Sequence, residues 1–169
     1  MEKMSFAASA ERGKHQELLK FAGNWKGTTK VWFEADVLAD ESPIEGSIEP
    51  VLEGRFLLHR YNTHFKNRSV EGIYMIGFDL QSNQFQVAWI DSFHMSTAIM
   101  FSKGNANDHD FEVLGAYPDH QQPPQYWGWR TDMHFEGEEL VIVAYNISPT
   151  GESSKATEIR YSKALPLAT

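Results

Sequence analysis

Few residues of this 169-residue chain have both the type and the setting that chemistry uses. Asp91 comes first. It ends the run FQVAWID, in which Phe85, Val87 and Trp89 alternate to one side and Asp91 keeps their parity. A carboxylate on the side that carries Trp89 can accept a hydrogen bond from a bound molecule or work as an acid/base. It can also cap the Ser92–His94 corner by accepting backbone N–H groups, with Trp89 as core. The structural reading is the preferred one. His59 and Tyr61 share one face of Phe56–Phe65, and Arg60 and His64 share the other. Neither face is cleanly apolar, a mixture typical of strands that border a cavity, so His59 and Tyr61 are candidate lining residues. Arg130 opposes the apolar parity of Trp127, Trp129, Met133 and Phe135, which most simply turns it to solvent. In a partly polar interior it would instead answer Asp91 or an acid group on a ligand.

Other chemistries find little support. The seven histidines include no His-x-His or His-x-x-x-His pair on one face, and His109 and His120 fall in or beside loops, so no metal site is expected. There is no cysteine, hence no disulfide and no thiolate chemistry. Nucleophile elbows, phosphate loops and dinucleotide fingerprints are missing, and no cofactor is expected. A net charge of -8 disfavours nucleic acid and anionic membrane as partners. The first residues have no apolar stretch of signal-peptide length, so the expected location is cytoplasmic.

The elements that would position these residues are mostly strands. Ser9–Ala22 reads as the only helix, with Ser9 as N-cap, Leu18, Leu19 and Ala22 on its apolar stripe, Phe21 under the first strand and Gly23 at its end. Alternating runs then cover Trp25–Phe33, Ile44–Leu52, Phe56–Phe65, Val70–Phe78, Phe85–Asp91, Met95–Lys103, Phe111–Tyr117, Tyr126–Phe135, Leu140–Ile147 and Thr157–Lys163. Glu34–Pro43 reads as a polar connection, and Phe85–Phe101 as a hairpin with a short corner. About ten strands joined by short turns, without crossover helices, imply an all-β antiparallel meander. Closure into an up-and-down barrel removes its exposed edges and leaves room for an internal cavity. A flexible stretch through residue 8 and a single domain over 9–165 complete the expected organisation.

Gly23-Asn24-Trp25 at the start of the first strand, with Arg160 in the last, resembles the signature of the lipocalin and fatty-acid-binding superfamily (calycins). That resemblance implies that Trp25 packs across the barrel bottom and that the Arg160 guanidinium lies over its ring, closing that end. A closer resemblance covers almost the whole chain. His15-Gln-Glu-Leu18, Ala22-Gly23-Asn24-Trp25, Glu53-Gly54-Arg55-Phe56-Leu57, Trp89-Ile90-Asp91-Ser92 and Glu158-Ile159-Arg160-Tyr161 occur in the order of a bacterial family known as domain of unknown function 1579. It implies a lipocalin-like barrel and assigns no activity. The related nitrobindin branch takes a haem-ligating histidine from the last strand, and Lys155–Lys163 has none.

The functional expectation is a barrel that binds a small apolar or amphipathic molecule in its lumen, oriented by His59, Tyr61, Trp89, Asp91 and Arg130. One alternative is an enzyme on the same barrel, an isomerase, cyclase or hydrolase using Asp91 with a histidine. Another is a fully packed structural or oligomerisation module. A homo-oligomer is compatible with all three. A ligand-sized void lined by Trp89 and Tyr61 distinguishes the first from the last.

Overall fold

The computed structural model describes residues 4–106 and 111–165. His109 therefore lies outside the described residues. Short turns force each strand back alongside its predecessor, and the described chain forms ten strands: β1 (Gly23–Glu34), β2 (Val37–Val51), β3 (Phe56–Phe65), β4 (Arg68–Asp79), β5 (Gln84–Asp91), β6 (Met100–Asn105), β7 (Phe111–Pro118), β8 (Tyr126–Glu136), β9 (Glu139–Ile147) and β10 (Ser153–Lys163). Each pairs antiparallel with its sequence neighbours. β1 also pairs with β10, from Trp25↔Lys163 to Val31↔Thr157, and the sheet closes into a barrel. Closure satisfies backbone groups that an open meander would leave unpaired.

Three segments differ from the sequence expectation. Helix α1 (Phe6–Arg12) starts earlier, because Ser5 rather than Ser9 is its N-cap and accepts the Ala8 N–H at 3.3 Å. Residues 6–8 are thus helical rather than part of a flexible terminus. Ser9 is fully buried, and its hydroxyl meets His15 Nδ1 at 2.8 Å. The helix breaks at Gly13, then resumes as α2 (Lys14–Leu18) and one 3-10 turn (Leu19–Phe21). β2 is longer than expected, since Glu34–Val37 is a tight turn with Asp36 at φ 62° and the polar stretch after it pairs with β1. Its side chains are largely exposed, so no apolar alternation marks it as a strand. β6 is shorter. Residues 92–99, expected to continue a hairpin from Met95, form an irregular segment instead.

The helices cover one end of the barrel. Leu18, Phe21 and Trp25 are buried there. Phe21 stacks on Phe135 with ring centroids 5.7 Å apart, and the Trp25 indole donates to the Phe21 carbonyl at 3.0 Å. The turns at 34–37 and 65–68 and the 92–99 segment lie at the opposite, uncapped end.

The inward parity of β3, β4, β5 and β10 carries large aromatics, and two glycines make room for two of them. A Cβ on Gly72 would lie 2.0 Å from the Tyr61 ring, and one on Gly46 would lie 2.5 Å from the Tyr161 hydroxyl. Gly72→Ala is expected to displace Tyr61 and lower stability by about 2 kcal/mol or more, as overpacking does. Urea denaturation should show a lower midpoint at an unchanged slope; an unchanged midpoint would mean that Tyr61 is not held against Gly72.

Candidate functional site

Four inward side chains from four strands form a continuous stack across the lumen. His59 (β3) lies on Tyr74 (β4), with ring centroids 5.5 Å apart and planes 10° from parallel. Tyr74 lies on Trp89 (β5) at 5.5 Å and 6°, and Trp89 on Trp129 (β8) at 5.3 Å and 22°. Alternation puts each ring inside the barrel, and pairing of Tyr74 with Trp89 in register sets them face to face. Tyr61 is beside them, and its hydroxyl accepts the Trp89 indole N–H at 3.1 Å. His59 Nε2 meets the Tyr161 hydroxyl at 3.1 Å. Burial pushes the His59 pKa down to about 3, so the ring is neutral, and burial raises those of Tyr61, Tyr74 and Tyr161. The phenols accordingly keep their protons.

Asp91 stands where this wall reaches the uncapped end, with its side chain fully buried. Oδ1 accepts the backbone N–H groups of Phe93, His94 and Met95 at 3.2, 2.7 and 3.2 Å. Oδ2 meets His94 Nδ1 at 2.5 Å. Burial is the largest influence on its pKa and raises it, but the His94 ring and the Met95 and His94 amides together outweigh burial and hold the carboxyl below its usual range. Oδ2 orients His94 with Nδ1–H toward the carboxylate. In the neutral ring Nε2 then carries the lone pair.

His94 Nε2 is buried without a partner, and so is the indole N–H of Trp129. The two rings lie 6.0 Å apart, and both contact Trp89. One group accepts a hydrogen bond and the other donates one, at the same end of the lumen. Little space remains beside His94. The cavity between Tyr61, Tyr74, Trp89, Asp91, Phe93 and His94 is about 30 Å³, roughly a single water. The ligand-sized void expected between Trp89 and Tyr61 is therefore not found among the described residues. The stacked rings fill the barrel, and residues 92–95 fold in over them.

A family profile described as "Protein of unknown function (DUF1579)" matches residues 10–163. The chain belongs to that family. No curated protein matches it.

In this DUF1579 barrel the residues expected at the site divide in two. His59, Tyr61, Trp89 and Asp91 come together on one inner wall. Arg130 does not join them. It faces outward, 3.3 Å from Asp132 and over the Tyr145 ring at 4.3 Å, because Trp129 and Thr131 occupy the inward parity of β8. Arg160 also faces outward, to Glu136 at 2.7 Å and Glu158 at 3.1 Å, since its neighbours Ile159 and Tyr161 point in. The cation over Trp25 is Lys163, at 5.2 Å, which shares the inward parity of Tyr161 and pairs with Trp25 in register.

Three residues of this candidate site were not singled out from the sequence. Trp129 and Tyr74 were legible only as alternating core. His94 carries a signal in its spacing, three residues after Asp91, where one turn brings an imidazole back to a carboxylate. No group of three or more metal-ligating side chains occurs among the described residues.

Asp91→Asn should cost about 2 kcal/mol through weakened charge-assisted bonds, and should move the His94 proton to Nε2. The folded pKa of Asp91 is depressed, so its contribution is complete above the unfolded value near 3.8 and fades as pH falls through the lower folded value. The difference in unfolding free energy between wild type and Asp91→Asn should shrink below about pH 4, as pH falls through the folded pKa of Asp91. Titration of His59 is common to both proteins and cancels. A difference that stayed constant down to pH 2 would contradict an ionised, capped Asp91.

Proposed function

We propose that this barrel binds a small, flat, largely apolar molecule at its uncapped end, against Trp89 and Trp129, with His94 Nε2 and the Trp129 N–H as its polar contacts. The observation that carries the reading is the pair of buried, unpartnered groups of opposite hydrogen-bonding sense on one aromatic wall. Leaving each unpaired costs about 1–3 kcal/mol, a cost that a ligand presenting one donor and one acceptor would remove. The aromatic faces would supply most of the affinity and the two polar groups the orientation.

The filled lumen weighs against a preformed pocket, so binding requires the 92–99 segment to swing outward. That segment is suited to moving. Residues 96–99 are exposed, while residues 92–95 are held by the Asp91 bonds, by Ser92 against Glu71, and by Phe93, which stacks on Phe65 at 4.6 Å beneath the largely exposed Phe33. This reading makes the protein a lipocalin-like carrier or sensor. An enzyme is the second reading, and the Asp91–His94 pair favours it: a carboxylate that orients an imidazole with a free Nε2 is the arrangement of a general base. A packed structural module is the outcome if nothing binds.

Native mass spectrometry of protein purified from its own host should show a reproducible small molecule at one per chain. Binding should weaken about 5- to 100-fold in Trp129→Phe, which keeps the ring and removes the N–H. Conversion of that molecule by wild type but not by His94→Gln would make the protein an enzyme. Absence of any co-purifying molecule, with no change in tryptophan fluorescence across a metabolite panel, would leave the structural module.

A further inference from the structure

A larger space lies on the other side of the same wall. Residues of β3, β4 and β5, among them the outward Arg60, Glu71, Ile73 and Ile90, together with residues 96–98 line an open cleft of about 450 Å³. That volume is within the range of small-molecule sites, whereas the lumen cavity holds about one water. The cleft exists because Asp91 gathers the amides of residues 93–95 and coils the chain, so that Ser96, Thr97 and Ala98 stand off the barrel instead of continuing as a strand. The Ser92 N–H donates to the Glu71 carbonyl at 2.9 Å and the Glu71 N–H to the Ser92 hydroxyl at 3.0 Å, pinning the base of that wall.

The lining is chemically uneven in an informative way. Ile73 and Ile90 pair directly across β4 and β5 and give an apolar floor, with Ile90 42% exposed. Arg60 pairs with Ile73 in register and Glu71 with Asn62, so a cation and an anion occupy diagonal positions at the edge of that floor. Both line the cleft, and neither forms an ion pair among the described residues. Elsewhere on the outer surface Arg130 and Arg160 each have a carboxylate within 3.3 Å. An arginine fork without a carboxylate, beside a carboxylate without a cation and over an apolar patch, is complementary to a molecule that carries both charges and an apolar tail.

We infer that this outer cleft is a second binding site, for a small zwitterion with the size and charge pattern of an apolar α-amino acid. The ligand carboxylate pairs with Arg60, the ammonium with Glu71, and the apolar tail covers Ile73 and Ile90. Ser96 and Thr97 offer hydroxyls from the opposite wall. The site lies on the outer side of the wall and shares Tyr61, Asp91 and the 92–99 segment with the lumen cavity. A ligand held against residues 96–98 therefore restrains the segment whose other half covers Trp89.

The test is a titration of the full chain, followed by amide NMR, with three probes of one shape: leucine, 4-methylpentanoate without the amine, and 3-methylbutylamine without the carboxylate. Leucine should shift the amides of Arg60, Glu71, Ile73 and Ile90 and of residues 96–98, saturating below about 10 mM for a Kd near 1 mM. Both truncated probes should bind at least about 10-fold more weakly, as should leucine to Arg60→Gln and to Glu71→Gln. These exposed substitutions leave the core intact, and an unchanged urea midpoint checks this. Trp129→Phe should leave leucine binding unchanged, which separates this site from the lumen. Equal binding of 4-methylpentanoate and leucine would overturn the zwitterion, and no shift at about 10 mM would overturn the site. A concentration-dependent change in mass that Arg60→Gln abolishes would do so as well, by giving the cleft to a second copy of the chain.

Discussion

The carboxylate of Asp91 is the constraint on which the rest of the uncapped end depends. Desolvating a carboxylate completely is expensive, and here three backbone N–H groups and an imidazole N–H answer it. Those bonds can be made only if the chain curls immediately after residue 91. A strand in this position would present alternate amides to alternate sides, and no single oxygen could collect three in succession. Capping therefore ends β5, carries Phe93, His94 and Met95 over the lumen and throws residues 96–98 to the outside. One ionised group decides what both faces of the wall look like.

The second constraint is volume. A closed ten-stranded barrel is wider than aliphatic side chains can fill, and this one solves the problem with stacked rings. His59, Tyr74, Trp89 and Trp129 span the interior at near-parallel angles. Tyr61 reaches the Trp89 indole only because Gly72 leaves room for its ring. Packing is therefore dense at the closed end and across the middle. The small remaining space collects where the wall meets the 92–99 segment.

Alternation made the barrel legible in the sequence, because a strand with one buried face writes its burial into every second residue. It also put Asp91 on the parity of Trp89 and His59 on that of Tyr61, and set Arg130 opposite Trp129. It failed where burial and secondary structure part company. β2 begins with exposed side chains on both faces and so looked like a loop. Met95, Thr97 and Ile99 alternate without being a strand, because a side-chain cap overrides the local pattern. Arg160 illustrates a different limit: a basic residue near Trp25 was expected from resemblance, but the parity of β10 gives that place to Lys163. Reading Asp91 as a cap and reading it as the partner of a histidine looked like alternatives. They are compatible, since a carboxylate has two oxygens and this one divides them between the turn and His94.

The two ends of the barrel differ in how completely their buried polar groups are paired. At the capped end Trp25 donates to a carbonyl, and Ser9 and His15 satisfy each other. Three ring nitrogens elsewhere are unpartnered: His59 Nδ1, His94 Nε2 and Trp129 Nε1. They are not equivalent. A neutral imidazole can place its proton on the nitrogen that has a partner, so His59 can donate to Tyr161 and leave only a lone pair exposed to the core, the cheaper defect. His94 does the same toward Asp91. Trp129 has no such escape, because an indole nitrogen is a donor in every state of the ring. Among the buried ring nitrogens of the described residues its N–H is the one with an unmet demand, and Trp129 lies toward the end of the barrel that the 92–99 segment covers.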